Sequence, residues 1–243
     1  MKGKNLLGVF LLLFCAGVLV SCSQDIDSES KGFMSKATVV ENQGGGFLCY
    51  LDGGGVVTSN SPVLKGIERG YFAFLYKEHQ RKTSGKKELF VENALVSPYM
   101  KYSVIHPLTL DEANESGITN PANSEESTSF SLSGAYRGFI DVTVGTSVQE
   151  GFTGEEVMTK VSLVYDPARQ SPNTLLLKLY RNPGVSKDWA SKKVNKETLS
   201  CDISSLRTLQ HWADSVEVII EGDKENHYIK IAKEDFSKPE LGL

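Results

Sequence analysis

From Lys36 onward, apolar and polar positions alternate in short runs bounded by glycine turns. Ala37–Val40 is a β-rich run, and Phe47–Leu51 is a second, reached through Gly44-Gly45-Gly46. Asp52-Gly53-Gly54-Gly55 turns the chain again before Val56–Thr58, because Asp-Gly and Gly-Gly pairs supply the positive φ values that hairpins need. In Tyr71–Tyr76 the period of two places Phe72, Phe74 and Tyr76 on one face and Tyr71, Ala73 and Leu75 on the other. Further strands are predicted over Glu88–Val96 and Tyr102–Ile105. Short strands at close spacing, joined by glycine turns, predict a small OB-like barrel over residues 36–106.

Residues 107–127 break the pattern with prolines, asparagines, serines and glutamates, and read as an interdomain connection with one helical turn at Leu110–Asn114. Alternation resumes over residues 128–236. Strands are predicted near Thr128–Leu132, Tyr136–Val144, Thr159–Tyr165, Thr174–Tyr180, Thr198–Ile203, Ser215–Glu221 and Tyr228–Ala232, with a helical turn in Ser204–Trp212. That density of strands predicts a seven-stranded antiparallel, immunoglobulin-like β-sandwich. The fold class is therefore all-β, in two modules.

The N-terminus follows another logic. Lys2 and Lys4 precede an apolar run from Leu6 to Val20. At about 15 residues the run is short for a membrane span, which needs about 20, and fits the h-region of an export signal. It ends in Leu19-Val20-Ser21-Cys22, which resembles the bacterial lipobox. The resemblance implies cleavage after Ser21, leaving residues 1–21 as signal peptide, and acylation of Cys22. Two or more acyl chains at about 0.8 kcal/mol per buried methylene anchor a protein stably without spanning. Residues 22–35 then form an acidic tether carrying Asp25, Asp27 and Glu29. That stretch resembles the tract behind the cysteine of surface lipoproteins in the Bacteroidetes, which implies an outer-membrane anchor facing the cell exterior. A periplasmic orientation is the alternative.

Charge narrows the functions. The chain has 26 basic and 30 acidic residues; losing residues 1–21 removes Lys2 and Lys4 and leaves 24 against 30, a net of −6. A general nucleic-acid binder is usually basic, so no nucleic-acid partner is expected. No Gly-x-Ser-x-Gly and no supported Cys/His pair is present. Four scattered histidines give no zinc spacing, and Asp25/Asp27 lack the glycine and terminal glutamate of a calcium loop. His106 with Asp111, Glu112 and Glu115 reads as a solvated linker. Catalytic residues, metals and cofactors are thus expected to be absent. Cys49 and Cys201 are expected as separate buried thiols, with a disulfide joining the two halves of the chain as the alternative in an oxidising envelope.

Two surface features remain. Lys77, Arg81, Lys82, Lys86 and Lys87 crowd one predicted hairpin, a candidate anion-binding loop or a soluble tip guarded by lysines. Asp214-Ser215-Val216 matches a short Bacteroidetes O-glycosylation pattern at Ser215.

The stretches "KATVVENQGGGFLCYLDGGGVVTSNS", "ERGYFAFLYKE", "HPLTLDEANESGITNPA" and "VSLVYDPARQSPNTLLLKLYRN" together resemble the NigD-like lipoproteins of Bacteroides and Prevotella. The resemblance implies an OB-like N-terminal domain and a C-terminal β-sandwich. It implies no enzymatic activity. The expectation is a non-enzymatic envelope lipoprotein that binds an unidentified envelope protein or glycan. The alternative is an immunity or structural protein associated with a bacteriocin cluster.

Overall fold

The computed structural model describes residues 30–83, 89–118, 120–121, 129–150, 156–158, 160–182, 191–209, 212–221 and 226–232. The first module contains β1 (Ser30–Glu41), β2 (Phe47–Leu51), β3 (Val56–Ser59), β4 (Arg69–Lys77), β5 (Arg81–Thr83), β6 (Leu89–Val91) and β7 (Leu95–Lys101). The strand order is β5-β6-β3-β2-β1-β4-β7. β1 is long enough to serve two partners: its first part pairs with β4 and its last part with β2. The face predicted to be buried is buried, with Phe72, Phe74 and Tyr76 packed on Ala37, Val39, Cys49, Leu51 and Val57.

The barrel expectation is corrected. Among the described residues the ladder is an open path of seven strands. The single strand expected over Glu88–Val96 is two, β6 and β7, interrupted at Asn93, whose φ is 53°. β6 pairs in parallel with β3, while β7 pairs with β4 at the far end of the path. The four residue steps from Val91 to Leu95 span at most about 14 Å, so the sheet must curl almost onto itself without closing. One glycine permits the close approach of β6 to the turn before β3. Gly55 has φ +107°, and a Cβ there would overlap the Leu89 carbonyl oxygen.

The second module contains β8 (Ser103–Ile105), β9 (Leu108–Thr109), α1 (Leu110–Glu115), β10 (Asn120–Pro121), β11 (Ser129–Tyr136), β12 (Phe139–Glu150), β13 (Glu156–Met158), β14 (Lys160–Tyr165), β15 (Thr174–Asn182), β16 (Ser191–Asp202), β17 (Ser215–Glu221) and β18 (Asn226–Ala232). One sheet runs β18-β17-β15-β14-β9 with β10 beside β15; the other runs β11-β12-β16-β8 with β13 beside β12. Ile140, Val142, Val144, Leu199 and Cys201 from the second meet Leu163, Leu177, Val216, Val218 and Ile220 from the first in one core. The seven-stranded antiparallel expectation is corrected here: the sheets are mixed, with β8 on β16, β9 on β14 and β15 on β17 all parallel.

The chain crosses between modules at Tyr102, the single residue between β7 and β8. Residues 108–115 and 120–121, within the stretch read as a connection, belong to the second module. α1 begins with a capping box: Thr109 Oγ1 accepts from the Glu112 amide, and the Glu112 carboxylate accepts from the Thr109 amide.

Candidate functional site

The junction of the modules holds the most concentrated chemistry of the described residues. Arg69 opens β4 opposite Thr38, at the point where β1 pairs on both edges. Its side chain is fully buried. It donates through Nη1 and Nη2 to the two carboxylate oxygens of Asp52, both at 2.6 Å, from the turn after β2. Nη1 also reaches Thr38 Oγ1 at 3.1 Å. Its opposite edge donates through Nε and Nη2 to Asp141 of β12, at 3.2 and 3.0 Å. Asp141, also fully buried, accepts further from Lys36 Nζ at 3.1 Å and from Ser200 Oγ at 2.7 Å. Two cations and two carboxylates from both modules are thereby paired in one network.

Electrostatics follow from that enclosure. Burial alone would make Arg69 easier to deprotonate, but the Asp52 hydrogen bonds and the Asp141 and Asp52 charges more than reverse this and hold it cationic. Burial, then the Asp141 charge, pushes the Tyr102 hydroxyl up to about 12. Aromatic rings line the rest. Arg69 lies 5.4 Å from the Phe139 ring, and Lys36 lies 5.8 Å from Tyr102. Arg137 stands between Tyr50 of the first module and Tyr136 of the second, at 5.3 and 5.1 Å. Its position at the tip of the β11–β12 hairpin, φ 49° before Gly138 at φ 84°, is the two-residue left-handed turn that suits such a hairpin.

Beside the network lies a hollow of about 420 Å³. Val39, Phe47, Leu64 and Ile67 of the first module and Phe139 of the second supply an apolar lining, and Glu41 and Glu68 stand exposed at its rim. A volume of this order accommodates a small molecule or a few side chains. The lining contains no basic residue.

The residues singled out from sequence fall elsewhere. Cys22, Lys86 and Lys87 lie outside the described residues. Lys77, Arg81 and Lys82 are exposed at one end of the first module, where Lys82 pairs with Glu92 at 2.6 Å and Glu78 pairs with Lys31. Arg81 and Lys82 belong to β5, so the basic loop is partly a strand with interspersed carboxylates. Ser215 is half-buried at the start of β17 and borders a polar surface hollow with Asp214, Glu217 and Lys230. Cys49 and Cys201 are free thiols in separate cores. Burial pushes the Cys49 thiol up to about 12, and Cys201 is raised by the same cause. His106 is largely exposed and sits 3.7 Å from Asp202. Sequence reasoning missed Arg69, Asp52, Asp141 and Lys36. Asp141 alone carried a signal, a charge inside the apolar run Phe139-Ile140-Asp141-Val142, while Asp52 read as a turn residue and Lys36 and Arg69 as ordinary charges at strand starts.

The molecule is thus a two-module all-β protein whose modules are pinned by buried charges. Among the described residues no helix is long and apolar enough to cross a membrane. No family model and no curated protein matches the chain. Several solved structures from Bacteroides and Parabacteroides align along most of the chain. They include a NigD-like immunity protein from Bacteroides caccae (14% identity, 83% of this chain and 92% of that one, TM-score 0.44). A protein provisionally designated a lipoprotein from Bacteroides fragilis aligns at 12% identity over 86% and 100%, with TM-score 0.44. A protein provisionally described as toxin-related from Parabacteroides distasonis aligns at 13% over 85% and 96%, with TM-score 0.49. Likeness at this level assigns no activity and no site residue.

Proposed function

We propose that the protein is a non-enzymatic envelope lipoprotein, tethered through Cys22, that binds a protein partner at the junction of its two modules. The carrying observation is the apolar junction hollow with Glu41 and Glu68 at its rim. Apolar walls with carboxylates at the rim suit an apolar side chain flanked by lysine or arginine. They suit a glycan less, because Val39, Phe47, Leu64, Ile67 and Phe139 offer few hydrogen-bonding groups. The buried network supports a binding role over a catalytic one. Its carboxylates are engaged by Arg69, Lys36 and Ser200 and hold the two walls of the hollow in register.

The test is capture of envelope proteins by the mature protein, compared with Glu41→Lys/Glu68→Lys. Both side chains are exposed, so the fold tolerates the exchange. A stoichiometric partner held by the native protein and lost by the variant is the expected result. A partner held equally by both refutes the site.

A further inference from the structure

On the outer face of the first sheet, beyond Lys36, which reaches from the row of Tyr71 into the junction, β4 runs apolar through Tyr71, Ala73 and Leu75 where a solvated strand would be polar. In register across the adjacent strands β1, β4 and β7, Lys36, Tyr71 and Met100 form one row, Met34, Ala73 and Ser97 the next, and Gly32, Leu75 and Leu95 a third. Leu95 is 66% exposed, Tyr99 70%, Met34 46% and Met100 45%. Tyr71 and Tyr99 meet edge to face, with centroids 5.9 Å apart. The surface carries a hollow of about 450 Å³ along Phe33–Met34, Ala73–Leu75 and Leu95–Ser97.

β7 is an edge strand, but a poor template for another chain's strand. Pro98 removes a backbone donor, and a bulge at Tyr99 breaks the ladder between Tyr71 and Phe72. The exposed feature is therefore the face rather than the edge.

The position of the anchor selects the occupant. Ser30 starts β1 and pairs with Lys77, which shares the outward parity of Tyr71, Ala73 and Leu75 at the end of the same face. Eight residue steps separate Ser30 from Cys22. Fully extended they reach at most roughly 28 Å. A lipid at Cys22 therefore holds this face within one short tether of the bilayer. An exposed tyrosine, methionines and a leucine bordered by a lysine are what an interfacial surface presents to headgroups and acyl chains.

We propose that the outer face of β1, β4 and β7 rests on the lipid surface to which Cys22 is anchored, so that the molecule stands on the membrane in one orientation. The inference rests on the lipidation of Cys22 in the reading above.

The experiment uses the full lipidated chain in phosphatidylcholine vesicles containing brominated lipids. An environment-sensitive fluorophore is placed at Ser97→Cys or, as a control on the second module, at Glu217→Cys. Cys49 and Cys201 are buried and do not compete for label. The expected result is quenching of the Ser97 probe severalfold above the Glu217 probe. In Met34→Glu/Leu95→Glu that difference is lost while the protein still floats with the vesicles. If mass spectrometry shows a lipid on Cys22 and the protein floats, yet both probes are equally unquenched, the seating is overturned and the anchor reading survives. A blue-shifted Ser97 probe that brominated lipid does not quench places a second copy on the face and also overturns it. An unmodified Cys22 without flotation removes the anchor and the seating together.

Discussion

Replacing Asp141 with asparagine removes one charge from the junction and almost no volume. Oδ1 of Asp141 accepts from Arg69 Nε and Ser200, and Oδ2 accepts from Arg69 Nη2 and Lys36 Nζ. The asparagine carbonyl can keep one pair of donors. Its amide then faces the other pair, donor against donor. Two charge-assisted hydrogen bonds are lost, each about 1.5–3 kcal/mol. Breaking a buried ion pair from one side independently suggests about 3–5 kcal/mol. Asp52 still neutralises Arg69, so a loss of about 3 kcal/mol is expected, or roughly 6–12 °C in Tm for a chain of this size. The assay is urea unfolding followed by far-UV circular dichroism, which reports both modules, and by tryptophan fluorescence. Trp189 and Trp212 both lie in the second half of the sequence, and Trp212 packs in the second core. In the native protein the two transitions coincide. In Asp141→Asn they move to lower urea and separate, because the modules no longer share the network. A change below about 1 kcal/mol with transitions still coincident would refute the view that this network joins the modules.

Further outcomes follow from single contacts. Thr109→Ala removes the N-cap of α1 and costs about 1 kcal/mol in chemical denaturation, with Thr109→Ser restoring most of it. Gly55→Ala, at φ +107° against the Leu89 carbonyl, destabilises by more than the roughly 1 kcal/mol that glycine-to-alanine exchanges gain at compatible sites, and circular dichroism melts measure it. At pH 8 a thiol reagent leaves Cys49 and Cys201 untouched in the folded protein and labels both in urea, since burial raises both thiols; labelling of the native state at the unfolded rate would contradict their enclosure. The Glu221 carboxyl is held below its usual 4.5 by the hydrogen bonds from Arg169, at 2.9 Å each. Its contribution is therefore complete above pH 4.5 and lost as pH falls through the lowered folded value. Glu221→Gln should flatten the acid limb of the stability curve by no more than about 1 kcal/mol, as befits a part-exposed pair.

The sequence by itself determined the local elements. Alternation in Tyr71–Tyr76 and Val216–Ile220 fixes which side chains enter a core, because a strand's period of two is a property of the backbone. The runs Phe47–Leu51 and Ser215–Glu221 form strands with the bounds read from them. The apolar second face of β4 was also visible, though not what would lie beside it. Pairing was decided only in three dimensions. The parallel ladders of β8, β9 and β17 bring together segments far apart in the chain, and nothing local encodes a parallel neighbour. The break at Asn93 and the one-residue crossing at Tyr102 depend on how the first sheet curls. The junction was least legible. Asp141 lies 72 positions from Arg69 and 105 from Lys36, so each reads in sequence as an ordinary charge. Only folding removes water from around them, and that loss of solvent turns scattered charges into the network that sets the two modules against each other.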